Sequence, residues 1–201
     1  MSSKLSKKKK KKSEYGWMQV EIDAMQKKQN ERNKLTEMVS LTYHNLKEVS
    51  MWVIHDKFGY GKKRLQRVDN TTEQYIIEYA DGRLEVDQLM FFVKEKIGID
   101  LSERVKEIPQ SYRMEIAQIA MPKTGRDMIS TMKSINGAFE LWLALICTAL
   151  YTKEKISRPQ INQFISGCVE LIDYLKCKTI SQEDIWDALK KETGYEIRRD
   201  S

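Results

Sequence analysis

Residues 75–86 read Tyr75-Ile76-Ile77-Glu78-Tyr79-Ala80-Asp81-Gly82-Arg83-Leu84-Glu85-Val86, and they admit two opposite readings of the fold. Two short runs rich in β-branched and aromatic residues flank Asp-Gly, a pair that suits a hairpin turn. Joined to Val53-Ile54-His55 and Phe58-Gly59-Tyr60-Gly61, they would form a small Tudor-like barrel. Alternatively Asp81-Gly82 separates two helices. Comparison of the chain with itself favours the helices. At an offset of 96, Tyr43 meets Phe139, Leu46 meets Trp142, Val49 meets Leu145 and Ile54 meets Leu150. The match runs on without a gap: Leu65 with Ile161, Val68 with Phe164, Tyr75 with Leu171, Ile76 with Ile172, Leu89 with Ile185 and Gly98 with Gly194. Identities are few, but apolar residues face apolar residues throughout, as two similarly folded units require.

The second copy is the more legible. Pro159 suits the first turn of a helix that runs to about Cys177. Ser181, with Asp184 three positions on, forms an acidic variant of the capping box, and Gly194 is the usual helix stop. Carried back by 96, this predicts a helix over Lys62–Ala80, a turn at Asp81-Gly82 and a short helix over Glu85–Ile97 closed by Gly98. Upstream, Trp17, Val20, Ile22 and Met25 recur at helical spacing and predict a first amphipathic helix, with a second over Leu41–Phe58. The resulting organisation is all-α: a disordered lysine-rich tail (1–13), an N-terminal helix (14–33), module one (34–99), a bridge (100–129) with a helix near Gln110–Ala120, and module two (130–197).

Charge is unevenly placed. The formal charge of the 201 residues is +6, and Lys4, Lys7, Lys8, Lys9, Lys10, Lys11 and Lys12 supply seven positive charges, leaving −1 on the remainder. A run of like charges reads as a solvated tail, either attracted to phosphates without sequence preference or simply solubilising. It has no apolar segment behind it, which argues against a secretory signal and against membrane binding. The longest apolar run, Ala138–Tyr151, contains Glu140 and is shorter than a bilayer span, so it reads as a buried helix. Cys147, Cys168 and Cys177 lie in apolar patterns without a paired spacing, as reduced buried thiols do. A cytoplasmic location is the expectation.

The densest local signal is His55-Asp56-Lys57-Phe58-Gly59-Tyr60-Gly61-Lys62-Lys63-Arg64-Leu65. Gly59 and Gly61 permit a close turn, and the helix start behind them offers free N–H groups that Lys62, Lys63, Arg64 and Arg67 would reinforce as an anion site. The same glycines would equally serve a turn between packed helices. The spacing matches neither a P-loop nor a dinucleotide fingerprint. His44 and His55 stand about three helical turns apart, too far to share a metal, and no nucleophile motif accompanies them. No catalytic residue, metal ligand or cofactor is therefore assigned. Trp142, Trp186, Tyr151, Tyr174 and Phe164 read as core or helix contacts.

The stretch from Val53 to Leu65, followed by a helix and then a helix ending Lys96-Ile97-Gly98-Ile99, resembles small proteins of phages and prophages of Gram-positive bacteria. These carry a similar His-Asp-x-Phe-Gly-Phe-Gly-Lys-Lys-Arg-Leu stretch. The resemblance covers residues 50–99, implies a mobile-element origin inside a bacterial host, and transfers no catalytic residue. The expected function is that of a non-enzymatic phage accessory factor acting near nucleic acid. The alternative is a regulator or inhibitor of a host polymerase, nuclease or defence complex. Nucleic acid, a host protein complex and a second copy of the chain are the expected classes of partner.

Overall fold

A computed structural model describes residues 16–120 and 128–196. The lysine tail and the Pro122-Thr124-Gly125 part of the bridge lie outside the described residues. The element order is α1 (Gly16–Phe58), α2 (Lys62–Ala80), α3 (Val86–Phe92) with a π-helical turn over Val93–Ile97, α4 (Leu101–Glu107), α5 (Gln110–Ala120), α6 (Met128–Lys153), α7 (Arg158–Lys176) and α8 (Gln182–Thr193). No strand occurs among the described residues, so residues 75–86 form the end of one helix, a turn and the start of another.

The chain divides into two compact units, Met1–Lys34 and Leu35–Ser201. In the first, the described residues are helical and Val20, Ile22 and Met25 are exposed. In the second, α6 is the hub: it packs against α2, α3, the π-helical turn, α4, α5 and α7. Ala138, Phe139 and every residue from Leu141 to Leu150 are buried. A helix that is apolar on all sides needs neighbours on all sides. By length and composition Lys133–Lys153 would also suffice to cross a membrane, longer than the Ala138–Tyr151 run suggested, and most of it is enclosed by the fold.

The helix signals act where the sequence places them. Ser181 accepts from the Asp184 backbone N–H at 3.1 Å, and the Asp184 carboxylate accepts from the Ser181 N–H at 2.8 Å. Pro159 sits in the first turn of α7, where its missing N–H has no intrahelical role. Gly98 and Gly194 close their helices at φ +77° and +69°, a conformation that costs other residues strain. The limits of α2 and α7, and of α3 with its π-helical turn and α8, recur at the spacing of 96. So do three left-handed pairs: Gly59 with Lys155, Gly82 with Lys178, and Gly98 with Gly194.

Three expectations are corrected. α1 is one helix rather than two, because no glycine or proline interrupts Trp17–Phe58. Between α3 and α5, Asp100 caps an additional helix by accepting from the Ser102 N–H at 3.2 Å. Cys177 and Tyr174 are exposed, whereas Cys147 and Cys168 are buried, with burial pushing the Cys147 thiol up to about 12 and the Cys168 thiol well above its ordinary value.

Gly167 fixes the approach of α7 to α1, since a β-carbon there would lie 2.8 Å from Val53 Cγ1. Gly167→Val is expected to lower stability by about 1–3 kcal/mol through overpacking. The urea midpoint checks this, and adding Val53→Ala should recover part of the loss.

Candidate functional site

The run of cations after Gly61 opens α2, and consecutive helical residues diverge by about 100°, so the run is spread around the helix. Lys62 lines a cavity of about 460 Å³ with Lys47, Gln66, Asp69, Asn70, Glu73, Tyr195 and Glu196. Lys63 lines an open groove of about 530 Å³ that shares Gln66 and Asn70 with this cavity. Arg64 turns to α6: its Nε donates to Glu154 Oε2 at 3.0 Å, and its guanidinium lies 3.5 Å from the centre of the Tyr60 ring. Arg67 Nε pairs with Glu154 Oε1 at 3.2 Å. The Glu154 side chain is only 3% exposed, so its charge is held largely out of water by two arginines. This bears on the expectation of one anion site: Arg64 and Arg67, two of its four helical cations, already pair with the carboxylate of Glu154.

The glycines serve the turn. Gly59 has φ +64°, which any side chain would strain, and its N–H donates to the His55 carbonyl at 2.7 Å. Gly61 is extended, and its carbonyl accepts the Arg64 and Leu65 N–H groups that start α2. His55 staples this turn to α8. Its Nδ1 lies 2.9 Å from the Tyr60 carbonyl oxygen and its Nε2 3.1 Å from Glu192 Oε2. His44 is exposed on α1.

What remains with binding character is the groove. Lys63, Gln66, Arg67, Asn70 and Gln74 succeed one another along one face of α2, and Lys153 enters from the end of α6. Tyr75, Thr71 and Glu78 complete the lining. The lining holds Lys63, Lys153 and Arg67, the last already paired with Glu154, against Glu78, interleaved with amides; this suits an anionic ligand that also offers hydrogen-bonding edges. The sequence signal for this face was the 3- and 4-residue spacing of polar residues, which the linear basic run obscured.

The cavity at Lys62 has a different chemistry. Asp69 is buried, accepts from Tyr43 Oη at 2.5 Å and from Tyr195 Oη at 2.5 Å, and pairs with Lys47 Nζ at 2.8 Å. Lys47 also donates to Glu73 at 2.9 Å. A carboxylate held by three donors is a structural junction between α1, α2 and the segment that follows α8. Among the described residues, no group of three His, Cys, Asp or Glu side chains converges as metal ligands. No family model, curated protein or solved structure matches the chain.

Burial and then the Asp69 charge hold the Tyr43 and Tyr195 hydroxyls above the ordinary tyrosine range. Burial opposes the charged form of Lys47, but its bonds to Asp69 and Glu73 outweigh this and raise it. All three groups keep their protons longer folded than unfolded. Their stabilisation is therefore complete below the unfolded values, 10.0 for tyrosine and 10.5 for lysine, and is lost as pH rises beyond them. Tyr195→Phe is expected to be less stable at neutral pH by about 1.5–3 kcal/mol, the range for a hydrogen bond to a charged group. Its stability should fall less steeply than that of the parent under alkaline conditions, as urea unfolding across a pH series will show.

Proposed function

We propose that this chain is a non-enzymatic binding protein of mobile-element origin that engages nucleic acid, with the α2 groove as the contact surface and the lysine tail as a general phosphate anchor. The observation that carries the proposal is the groove: Lys63, Arg67 and Lys153 beside Gln66, Asn70 and Gln74. Lysine and arginine attract phosphate, while amides hydrogen-bond sugars, phosphates and base edges. Its polar lining and its position along an exposed helix face suit a polymer passing over the surface better than a small substrate enclosed by it. The tail adds attraction that is long-range, sequence-independent and sensitive to salt. On the same reading the recurrence at 96 residues reflects a duplicated helical unit.

A second reading, a regulator that docks on a host protein complex, draws support from Phe91, which is 66% exposed on α3. An aromatic ring left in water on a short helix is suited to a protein interface. Affinity capture from nuclease-treated lysate should then retain one stoichiometric partner, and Phe91→Ala should lose it.

The test of the leading proposal is the affinity of the full chain, of a chain lacking residues 1–13, and of Lys63→Glu/Lys153→Glu for duplex and single-stranded oligonucleotides at low and high salt. Loss of the tail should weaken binding equally across sequences and flatten the salt dependence. Each groove lysine replaced should reduce the logarithmic salt slope by about 1. Glu154→Gln should act in the opposite direction and strengthen binding, because it releases Arg64 and Arg67. Undetectable binding at low salt by the full chain, or complete loss with the tail alone, overturns the groove as a nucleic-acid surface.

A further inference from the structure

The helix over residues 16–34 poses a problem that the groove does not address. Its described side chains are exposed from Val20 to Lys27, with Val20 at 69%, Ile22 at 45% and Met25 at 66%. Residues 16–34 continue one helix with the rest of α1, and helix stability in proteins comes mainly from packing an apolar face, which the exposed Ile22 and Met25 do not find within the chain. The helix register shows which face is available. Positions 18, 22 and 25 follow the four-then-three spacing of a coiled-coil seam and carry Met18, Ile22 and Met25, with Gln29 next in the series. Val20 lies off that seam. Flanking it on one side, one heptad apart, are the register positions of Glu21 and Lys28; the corresponding positions on the other flank are Gln19 and Gln26.

This arrangement is complementary to itself in only one direction. Two copies set antiparallel, with Ile22 of each against Met25 of the other, place position 21 of each copy near position 28 of the other. Glu21 then faces lysine twice, related by a twofold axis. The neutral glutamines face one another on the opposite flank. Set parallel, the same positions face Gln26 and Asn33, and no charge is matched. The charge order along the whole segment agrees: residues 14–23 carry Glu14, Glu21 and Asp23 without a cation, whereas residues 27–34 carry Lys27, Lys28, Arg32 and Lys34 with Glu31 alone opposing.

We infer that this helix is the dimerisation element of the protein and that its partner is a second copy of the chain, paired antiparallel through Ile22 and Met25 and oriented by Glu21 and Lys28. The inference is independent of the ligand that the α2 groove binds, and its readout is mass rather than affinity for nucleic acid. A twofold pair would present two lysine tails and two grooves in one particle, which multiplies weak phosphate contacts through effective concentration.

Sedimentation equilibrium of the full chain, at tens of micromolar and moderate salt, is the test. The parent chain should have twice the monomer mass, and Ile22→Glu/Met25→Glu should have the monomer mass while the cooperative thermal unfolding of the rest of the chain persists. Direction is read by charge reversal. Glu21→Lys places lysine against lysine, and Lys28→Glu places glutamate against glutamate, so each variant alone should dissociate at least several-fold more readily than the parent. Mixed in equal amounts, the two should form a heterodimer, and Glu21→Lys/Lys28→Glu should recover the parental mass. A monomeric parent chain overturns the inference, as does a dimer that survives Ile22→Glu/Met25→Glu. A dimer indifferent to both charge reversals overturns the antiparallel arrangement.

Discussion

The apolar circumference of α6 is the constraint on which the larger unit depends. Along Ala138–Leu150 only Glu140 is less than buried, so the helix has no face to give to water. Its neighbours have to form a closed shell, and α2, α3, the π-helical turn, α4, α5 and α7 do so. The shell is tight enough to leave Trp142 Nε1 buried without a hydrogen-bond partner among the described residues, at a cost of about 1–3 kcal/mol. Burying the indole, packed edge-on to Phe139 at 6.0 Å between ring centres, offsets this. The other helices are amphipathic because each has only one side to give to the shell, and their outer faces are what remains for function.

A polar junction then selects one arrangement of that shell. Asp69 stands at the position where the second half has Ile165, both of them buried. An isoleucine accepts any well-packed neighbour, whereas a buried carboxylate demands donors with defined geometry. Tyr43, Lys47 and Tyr195 meet that demand from two different elements, so the end of α8 is tied to α1 and α2 by directional bonds. His55 provides a second tie between the same regions, through Glu192. Polar exceptions of this kind in one half of a repeating pattern distinguish the halves and restrict how they associate.

What was legible in the sequence was local. Caps, stops and the apolar period act within one turn of helix, so Pro159, Ser181, Asp184 and Gly194 marked their boundaries, and the spacing of 96 extended those marks to residues 75–86, where local propensity favoured a hairpin. The apolar spacing of Trp17–Met25 and that of Leu41–Phe58 suggest two helices, yet α1 runs through both. No glycine or proline breaks this stretch, so residues able to cap a helix, such as Asn33, Thr36 and Ser40, lie inside one. Asp100 was a readable cap whose helix is only 7 residues long, too short for a periodic signal. The partners of Arg64 and Arg67 were not readable at all, since Glu154 approaches them only after α6 and α2 have packed.

That last point governs how basic runs on helices should be interpreted. Lys62, Lys63 and Arg64 are contiguous in sequence, yet they serve a cavity beside Asp69, an open groove and a protein carboxylate. On an extended segment such a run could act as one patch. On a helix, charges act together only when spaced by three or four, which is why Lys63 is joined by Arg67 rather than by its immediate neighbours. The arginine there also serves two ends: its planar guanidinium pairs with Glu154 while its side chain lines the groove. Lysine, a compact charge on a flexible stem, is left at the open groove positions Lys63 and Lys153. The division of labour between the two residue types follows from their shapes, and it shows why a count of positive charges does not by itself define a patch.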